Sequence, residues 1–437
     1  MTKTIYLFTV FVLLSVSSLQ GQTPRSMTIE ELFRLADTQN SDIGAAGQAV
    51  DVARQQEKIA RTARLPQISA SLTLSYLGDG TILDRDFSNP VRDKLPHFSN
   101  TLGVEVYQPV YTGGALSGAV SLSESQTALA AVGLDAAKNS VRMTIVQNYL
   151  ELAKNRNLLS VYEENIRLTE KLLGKMRARQ EQGIVLKNDI TRYELKLSSL
   201  GYDRLATENA IRICNTNLTS LLGLDDSTEI IPQQPAVPDD IREVGMWLQS
   251  AAVHSPQLRS YGLQTDMESI RRRITYSEYL PKIGLVAGDN FLGPVTFEVP
   301  ALNKNYNAWF IGVNLKWNIS SLFTTAQSTR RHSMEVARIQ TARTAEEEAT
   351  DRRIHEAYTL YRQSMERLEI ERKNIQLAEE NYAVVSNRFD NQLALLTDLL
   401  DASNALLDAG VRLVNAEISA QFYYYQLHFI SGTLITL

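Results

Sequence analysis

The sequence predicts an α+β membrane protein: four β-strands per chain closing, as a trimer, into a 12-stranded β-barrel that a long α-helical coiled-coil tunnel continues. Three observations carry that expectation. The chain is written twice. Each copy holds two alternating strands of about 10 residues. The remainder is proline-free helix of unusual length.

Composition sets the outer limits. The 437 residues carry 44 basic and 49 acidic side chains, a net charge of −5, which offers no basic field for nucleic acid. Apolar residues make up 44%, ample for a core. The single cysteine, Cys214, excludes an internal disulfide framework or a Cys-rich metal site and reads as a small packed residue on a helix.

At the start, Lys3 precedes an apolar or small run from Ile5 to Val16, then Ser17, Ser18, Leu19, Gln20 and Gly21. This pattern reads as an export signal over residues 1–21. The run is shorter than the about 20 apolar residues that a spanning helix needs. No later stretch reaches that length, so the expectation is an exported chain without membrane helices.

An internal repeat organises the rest of the chain. At an offset of 209, Gly103-Val104 falls on Gly312-Val313, Tyr149 on Tyr358, Asn165 on Asn374, Arg179 on Arg388, Asp189 on Asp398 and Gly223 on Gly432. Before the glycine pair the offset is 215, where Leu65-Pro66 meets Leu280-Pro281 and Ile68 meets Ile283. The difference places a longer loop in the first copy, between Pro66 and Gly103. The first repeat is expected over 22–230, the second over 241–437, with a linker over 231–240 whose prolines are Pro232, Pro235 and Pro238.

Each copy opens with a helix, running to Leu65 or Leu280, where the next proline pushes the backbone out of the α region. Strands are expected at about 67–77 and 101–111, and again at about 282–292 and 307–317. Ile68, Ala70, Leu72, Leu74 and Tyr76 face one way; Gln67, Ser69, Ser71, Thr73 and Ser75 face the other. Trp309, Ile311, Val313, Leu315 and Trp317 likewise oppose Phe310, Gly312, Asn314 and Lys316. A half-buried soluble sheet also alternates. Here, however, the first face is apolar almost without exception while the second holds Ser, Thr, Gln, Glu, Lys and Gly, and Tyr76, Tyr111, Trp309 and Trp317 cluster near strand ends as interfacial belts do. A polar loop is expected from Gly78 to Asn100.

Long helices complete each copy, at about 119–182 and 189–222, then 322–390 and 398–430. Val141, Ile145, Tyr149, Leu152, Leu159, Ile166, Leu173 and Met176 form one stripe, and Ile354, Tyr358, Tyr361, Leu368, Ile375, Tyr382 and Val385 form its counterpart. Residues 119–182 alone span roughly 95 Å at about 1.5 Å per residue. An open sheet edge in lipid leaves backbone groups unsatisfied, so four strands must close by oligomerising. A dimer closes eight strands, which side chains nearly fill; a trimer closes 12 around an open lumen, which the polar face favours.

The order of helix, Leu-Pro strand, loop, strand, long helix, tip and helix, repeated after a proline-bearing linker, resembles the TolC-type outer-membrane efflux proteins over essentially the whole mature chain. Leu396-Thr397-Asp398-Leu399-Leu400-Asp401-Ala402 resembles that family's inner-hairpin tip, and Gly183-Ile184-Val185-Leu186-Lys187-Asn188-Asp189-Ile190 its outer one. The resemblance implies a homotrimer in outer-membrane lipid with its helices in the periplasm. It also implies a passive conduit for small molecules or polypeptides, docked to a periplasmic adaptor and driven by an inner-membrane pump. The alternative is a periplasmic coiled-coil adaptor or scaffold without a pore, which leaves the strands unexplained.

The same resemblance assigns candidate residues. Asp398 and Asp401, three apart and so on one helix face, would ring the lumen constriction; an acid at a helix start also reads as a cap, and so does Asp189. Adaptor docking would use Gly183, Ile184, Val185, Leu186, Asp189, Gln392, Leu393, Leu395 and Leu396. The gate region would hold Arg388, Phe389 and Ala394. Phe389 and Ala394 stand where the family has a latching tyrosine and arginine, and Gln392 where it has a glycine. Neither Phe389 nor Ala394 makes a polar latch, which leaves Arg388 as the neighbouring cation. His97, His254, His332, His355 and His428 lack metal-ligand spacing, and no catalytic or nucleotide-binding motif occurs, so no enzyme, metal or cofactor is expected.

Overall fold

The computed structural model describes residues 24–233, 242–298 and 300–437. The expected export signal and most of the expected linker, residues 234–240, lie outside the described residues.

In chain order, β1 (Pro24–Met27), α1 (Ile29–Gln39) and α2 (Ser41–Thr62) lead into β2 (Gln67–Tyr76). The short strands β3 (Gly80–Ile82) and β4 (Val91–Asp93) precede β5 (Phe98–Tyr111), then α3 (Ala115–Glu181), α4 (Lys187–Leu222) and β6 (Glu229–Pro232). The second copy holds α5 (Val244–His254), α6 (Pro256–Tyr276), β7 (Lys282–Gly293), β8 (Tyr306–Lys316), α7 (Ser321–Asp390) and α8 (Leu396–Ser431). The chain forms two compact units, each drawing on both copies: Met1–Gly47, Gly133–Arg259 and Ala345–Leu437 make one, and Gln48–Val132 with Ser260–Thr344 make the other.

The second unit contains a four-stranded antiparallel sheet ordered β2-β5-β7-β8. Its register sets the faces, since residues directly opposite share one. Ile68 pairs with Val106 and Leu72 with Leu102; Leu102 in turn pairs with Phe291, and Leu285 with Val313. The apolar residues therefore share one face, and they are exposed: Ile68 by 72%, Ile311 by 76% and Val313 by 68%. Exposed apolar side chains across a whole sheet face mark a surface made for something other than water. On the opposite face stand Ser69, Ser71, Thr73, Thr101, Glu105 and Asn290. There the Tyr107 ring lies over Gly284 and the Phe310 ring over Gly288, where a Cβ would collide with either ring.

Several expectations need correction. The apolar face is broken at Asp289, which lies opposite Trp309 and takes the Asn307 amide at 2.6 Å. The polar loop carries the β3–β4 hairpin, tied by Arg92 to Asp79 at 2.6 Å. The helices before the Leu-Pro steps stop at Thr62 and Tyr276, short of Leu65 and Leu280. Tight turns close both: Leu65 N–H donates to the Thr62 carbonyl and Leu280 N–H to that of Ser277. α3 begins at Ala115 because Gly113 and Gly114, both at positive φ, turn the chain there and Thr112 Oγ1 accepts from Leu116 N–H. Ile231 and Pro232 close a strand instead of opening a linker.

In the first unit, β1 and β6 pair in parallel, Pro24 with Glu229 through Met27 with Pro232. A capping box starts α1: Glu31 N–H donates to Thr28 Oγ1 at 3.3 Å, and Thr28 N–H to Glu31 Oε2 at 3.0 Å. The core gathers Phe33, Leu32, Ile145, Leu152, Leu218 and Leu222 around Tyr149. The Tyr149 hydroxyl lies within bonding distance of the Met27 and Gln233 carbonyls, at 2.9 and 2.7 Å, so a buried phenol finds a partner. Buried Arg142 meets Asp37 at 2.9 Å and the carbonyls of Leu434 and Ile435. A second cluster packs Trp247, Ala251, Ile354, Tyr361 and Leu427. Outside these cores, Leu195 and Tyr202 on α4 are exposed at a seven-residue step, as are Ile370, Leu377 and Val384 on α7. These are second heptad seams without a partner among the described residues.

Candidate functional site

The site lies at the helical ends of the first unit, where two hairpin turns occupy matching positions of the repeat. In the α3–α4 turn, Gly183 adopts φ +75°, its N–H donates to the Gln180 carbonyl at 2.8 Å, and Ile184 N–H reaches Arg179 at 3.0 Å. In the α7–α8 turn, Gln392 takes the same role at φ +65°, donating to Phe389 at 3.0 Å, while Leu393 N–H reaches Arg388 at 2.8 Å. Glycine enters that region without penalty; glutamine there costs about 1–2 kcal/mol.

Both turns present apolar side chains outward. Ile184, Leu186, Leu393 and Leu395 are exposed, the last three by about 70% each. Val185, Ala394 and Leu396 are half-buried and pack on a cluster of Leu172, Leu173, Met176, Ile190, Tyr193, Phe389 and Leu399. A cavity of about 270 Å³ lies between the turns, with Arg179, Asp189, Val185, Gln392 and Leu396 in its wall.

The two hairpins are fastened through Phe389, a residue expected in the gate region, by Arg179, Lys175 and Asp390, which the sequence did not single out as site residues. The Arg179 guanidinium carbon lies 5.1 Å from the centre of the Phe389 ring. Its nitrogens donate to the Phe389 carbonyl at 3.4 Å and the Asp390 carbonyl at 3.1 Å. The Asp390 carboxylate takes Lys175 at 2.6 Å and Arg179 at 3.6 Å. Phe389 thus takes part through its ring and backbone, while Arg388 points into solvent. Deeper in, Lys196 Nζ on α4 donates to the buried Ser403 hydroxyl on α8 at 2.7 Å. Burial pulls the Lys196 ammonium down to about 8. The buried Tyr193 hydroxyl has no hydrogen-bond partner among the described residues, and burial, with Tyr382 and Asp401 nearby, pushes its pKa above the ordinary range.

The acids divide. Asp398 stands in the first turn of α8, and its carboxylate accepts from Leu395 N–H at 3.0 Å, a cap bond made from three residues inside the helix. Asp401 is exposed one turn on. Asp189 has the matching place in α4, but the helix opens at Leu186 with no side-chain cap, so only the helix dipole favours the acid there.

Of the strand aromatics, Tyr76 lies at the loop end of the sheet, stacked on His97 at 5.0 Å, and Trp309 lies three residues from the start of β8. Tyr111 and Trp317 lie at the helical end, where Trp317 Nε1 donates to the Tyr279 carbonyl at 3.1 Å. Among the histidines, buried His332 bonds Glu268 at 2.5 Å. Among the described residues no group of three or more His, Cys, Asp and Glu is placed to hold a metal, and no helix is long and apolar enough to cross a membrane.

The family model for outer membrane efflux proteins matches residues 32–224 and 247–433. No protein of curated function matches the sequence. Among solved structures, the outer-membrane channel OprN superposes with a TM-score of 0.76 at 14% identity, covering 93% of this chain and 90% of that one. The outer membrane protein VceC of Vibrio cholerae superposes at 0.74 with 17% identity, covering 92% and 96%. The Campylobacter jejuni CmeC outer membrane channel gives 0.75 and 15%, covering 93% and 85%.

Proposed function

The chain belongs to the outer membrane efflux protein family, an outer-membrane channel with its helices in the periplasm, and from that premise we propose that it is the exit duct of a tripartite efflux or secretion system. It is a passive conduit for small molecules or polypeptides, driven by an inner-membrane pump through a periplasmic adaptor, with no chemistry of its own.

One observation carries this reading: a four-stranded sheet with one face exposed and apolar, the other polar, and neither edge strand paired. In lipid such edges must pair, and copies of the same chain offer β2 and β8 to each other. Three chains give 12 strands and a water-filled lumen lined by the Ser, Thr and Gly face. The unpartnered seams through Leu195 and Tyr202 and through Ile370, Leu377 and Val384 continue the assembly along the helices. The loops of residues 77–97, 294–298 and 300–305 face the cell exterior. Tyr76 and Trp309 meet the outer lipid interface, and Tyr111 and Trp317 the inner one.

At the helical hairpin turns, exposed Ile184, Leu186, Leu393 and Leu395 dock the adaptor. Asp398 and Asp401 from three chains form the constriction, and the Arg179–Phe389–Asp390 contact holds it closed. A scaffold without a pore has no use for the exposed sheet face. Planar-bilayer recording decides between them: the purified protein conducts ions as a defined channel, whereas a scaffold adds no conductance.

A further inference from the structure

We propose that the outward face of the sheet carries a headgroup site for a phosphorylated glycolipid of the surrounding membrane; the proposal rests on the barrel reading. The site is a cavity of about 520 Å³ at the loop end of β5 and β7, formed by Phe98, Asn100, Gly293, Asn303, Lys304 and Asn305 together with His97 and two prolines. Its position relative to the faces is set by register. Asn100 pairs with Leu74 on one side and Gly293 on the other, so it shares the exposed apolar face. One pair lower on that face stand Leu72, Leu102 and Phe291. Phe98 opposite Tyr76 is one pair higher. A polar cavity therefore opens on the lipid side, directly above side chains that acyl chains cover.

The wall has the chemistry of a phosphate bonded to a sugar. Lys304 brings a positive charge, and three asparagine amides both donate and accept, as a ring of hydroxyls requires. No carboxylate lines the cavity. Asp289, on this face of β7, lies four residues down the strand, about 13 Å away, and is occupied by Asn307 at 2.6 Å. The apolar wall is fixed: His97 stacks on Tyr76 with its planes 14° apart and bonds the Leu77 carbonyl through Nδ1 at 2.9 Å. Gly293 leaves room for the Asn305 side chain, which a Cβ at 293 would strike. An uncharged headgroup would leave Lys304 without a counter-charge, and a headgroup without hydroxyls would leave the amides unmatched.

The test is native mass spectrometry of the detergent-extracted complex. The probes are an acylated phosphorylated disaccharide, its dephosphorylated form, phosphatidylglycerol, and the deacylated sugar phosphate. The same preparations are recorded in planar bilayers. The wild-type complex is expected to retain the acylated phosphosugar in preference to the other three. Lys304→Glu and the Asn303→Ala/Asn305→Ala pair should each lower that retention about tenfold, the worth of one charge-assisted contact, with conductance unchanged. Equal retention by wild type and Lys304→Glu, in a preparation that conducts, overturns the site and leaves the channel standing. So does equal binding of the deacylated sugar phosphate, which would make the ligand a soluble one. A wild-type preparation that neither assembles nor conducts removes the barrel reading and this proposal with it.

Discussion

Arg179, at the end of α3, covers the ring of Phe389, at the end of α7, with 5.1 Å between guanidinium carbon and ring centre. The same guanidinium bonds the carbonyls of Phe389 and Asp390, and Lys175 joins it on the Asp390 carboxylate. The cations belong to the outer hairpin and the acid to the inner one. On the proposed reading of these turns as the entrance, a closure fastened this way does not need a tyrosine at 389 or an arginine at 394.

Removing the acid should loosen that fastening. Both ion pairs are partly exposed, so each contributes about 0.2–1 kcal/mol. Asp390→Ala loses both, and a sum near 1 kcal/mol shifts a closed–open balance about fivefold. Single-channel recordings of Asp390→Ala and Arg179→Ala should show more frequent opening and higher resting conductance. Resting conductance equal to wild type in both variants would remove this contact from gating.

Gln392 supplies a test of the opposite sign. It holds φ +65° where Gly183 holds +75° at the matching turn. Gln392→Gly removes a strain of about 1–2 kcal/mol, partly offset by the greater freedom of glycine in the unfolded chain. A net gain in thermal stability is expected, read by loss of helical circular dichroism on heating. A lower melting temperature would show that the Gln392 side chain supports the turn.

Lys196 should give the fold a pH dependence. Its folded pKa, about 8, is below the roughly 10.4 of a free lysine. Between these values the unfolded chain holds more protons, so stability rises with pH, and below 8 the cost of the buried charge is fully present. Thermal unfolding between about pH 8 and 9.5, below the range of ordinary tyrosines, should show the rise in wild type. Lys196→Met should remove that part of the slope. Identical slopes would place the ammonium in solvent.

The acids separate into cap and charge. Asp398 bonds Leu395 N–H, and losing that bond costs about 1 kcal/mol. Asparagine keeps an acceptor oxygen and drops the charge, so Asp398→Asn/Asp401→Asn should fold and assemble normally. Rings of carboxylates attract cations, in part screened by salt. The double variant should therefore lose cation selectivity in reversal-potential measurements. An unchanged reversal potential would take both acids out of the lumen.

How far these features are legible in the sequence depends on the range of the interaction. Alternation is local, so Ile68 to Tyr76 reads as a strand from its own residues, and membership of the outer-membrane efflux family follows from the repeated order of elements. The left-handed turn at Gln392 is visible once the repeat sets it on Gly183. The Arg179–Asp390 contact is not, because its partners are 211 residues apart and surface charges on a long helix have many equivalent positions. Asp398 reads as a helix start, yet α8 begins at Leu396, since an acid in the first turn reaches back to the backbone before it. The β1–β6 pair is four residues per strand with a proline in each, too short for periodicity to reveal. Asp289 on the apolar face follows from alternation continued past Ala287, but its acceptance there depends on Asn307, which only the register supplies.

The central claim is that no single chain completes the barrel, because β2 and β8 each end the sheet with an unpaired edge. Native mass spectrometry of the complex extracted from outer membranes in mild detergent tests it directly. The account predicts an assembly of three chains that persists until the strands themselves unfold. A folded single chain, or a stable pair, carrying the full four-stranded sheet would contradict it.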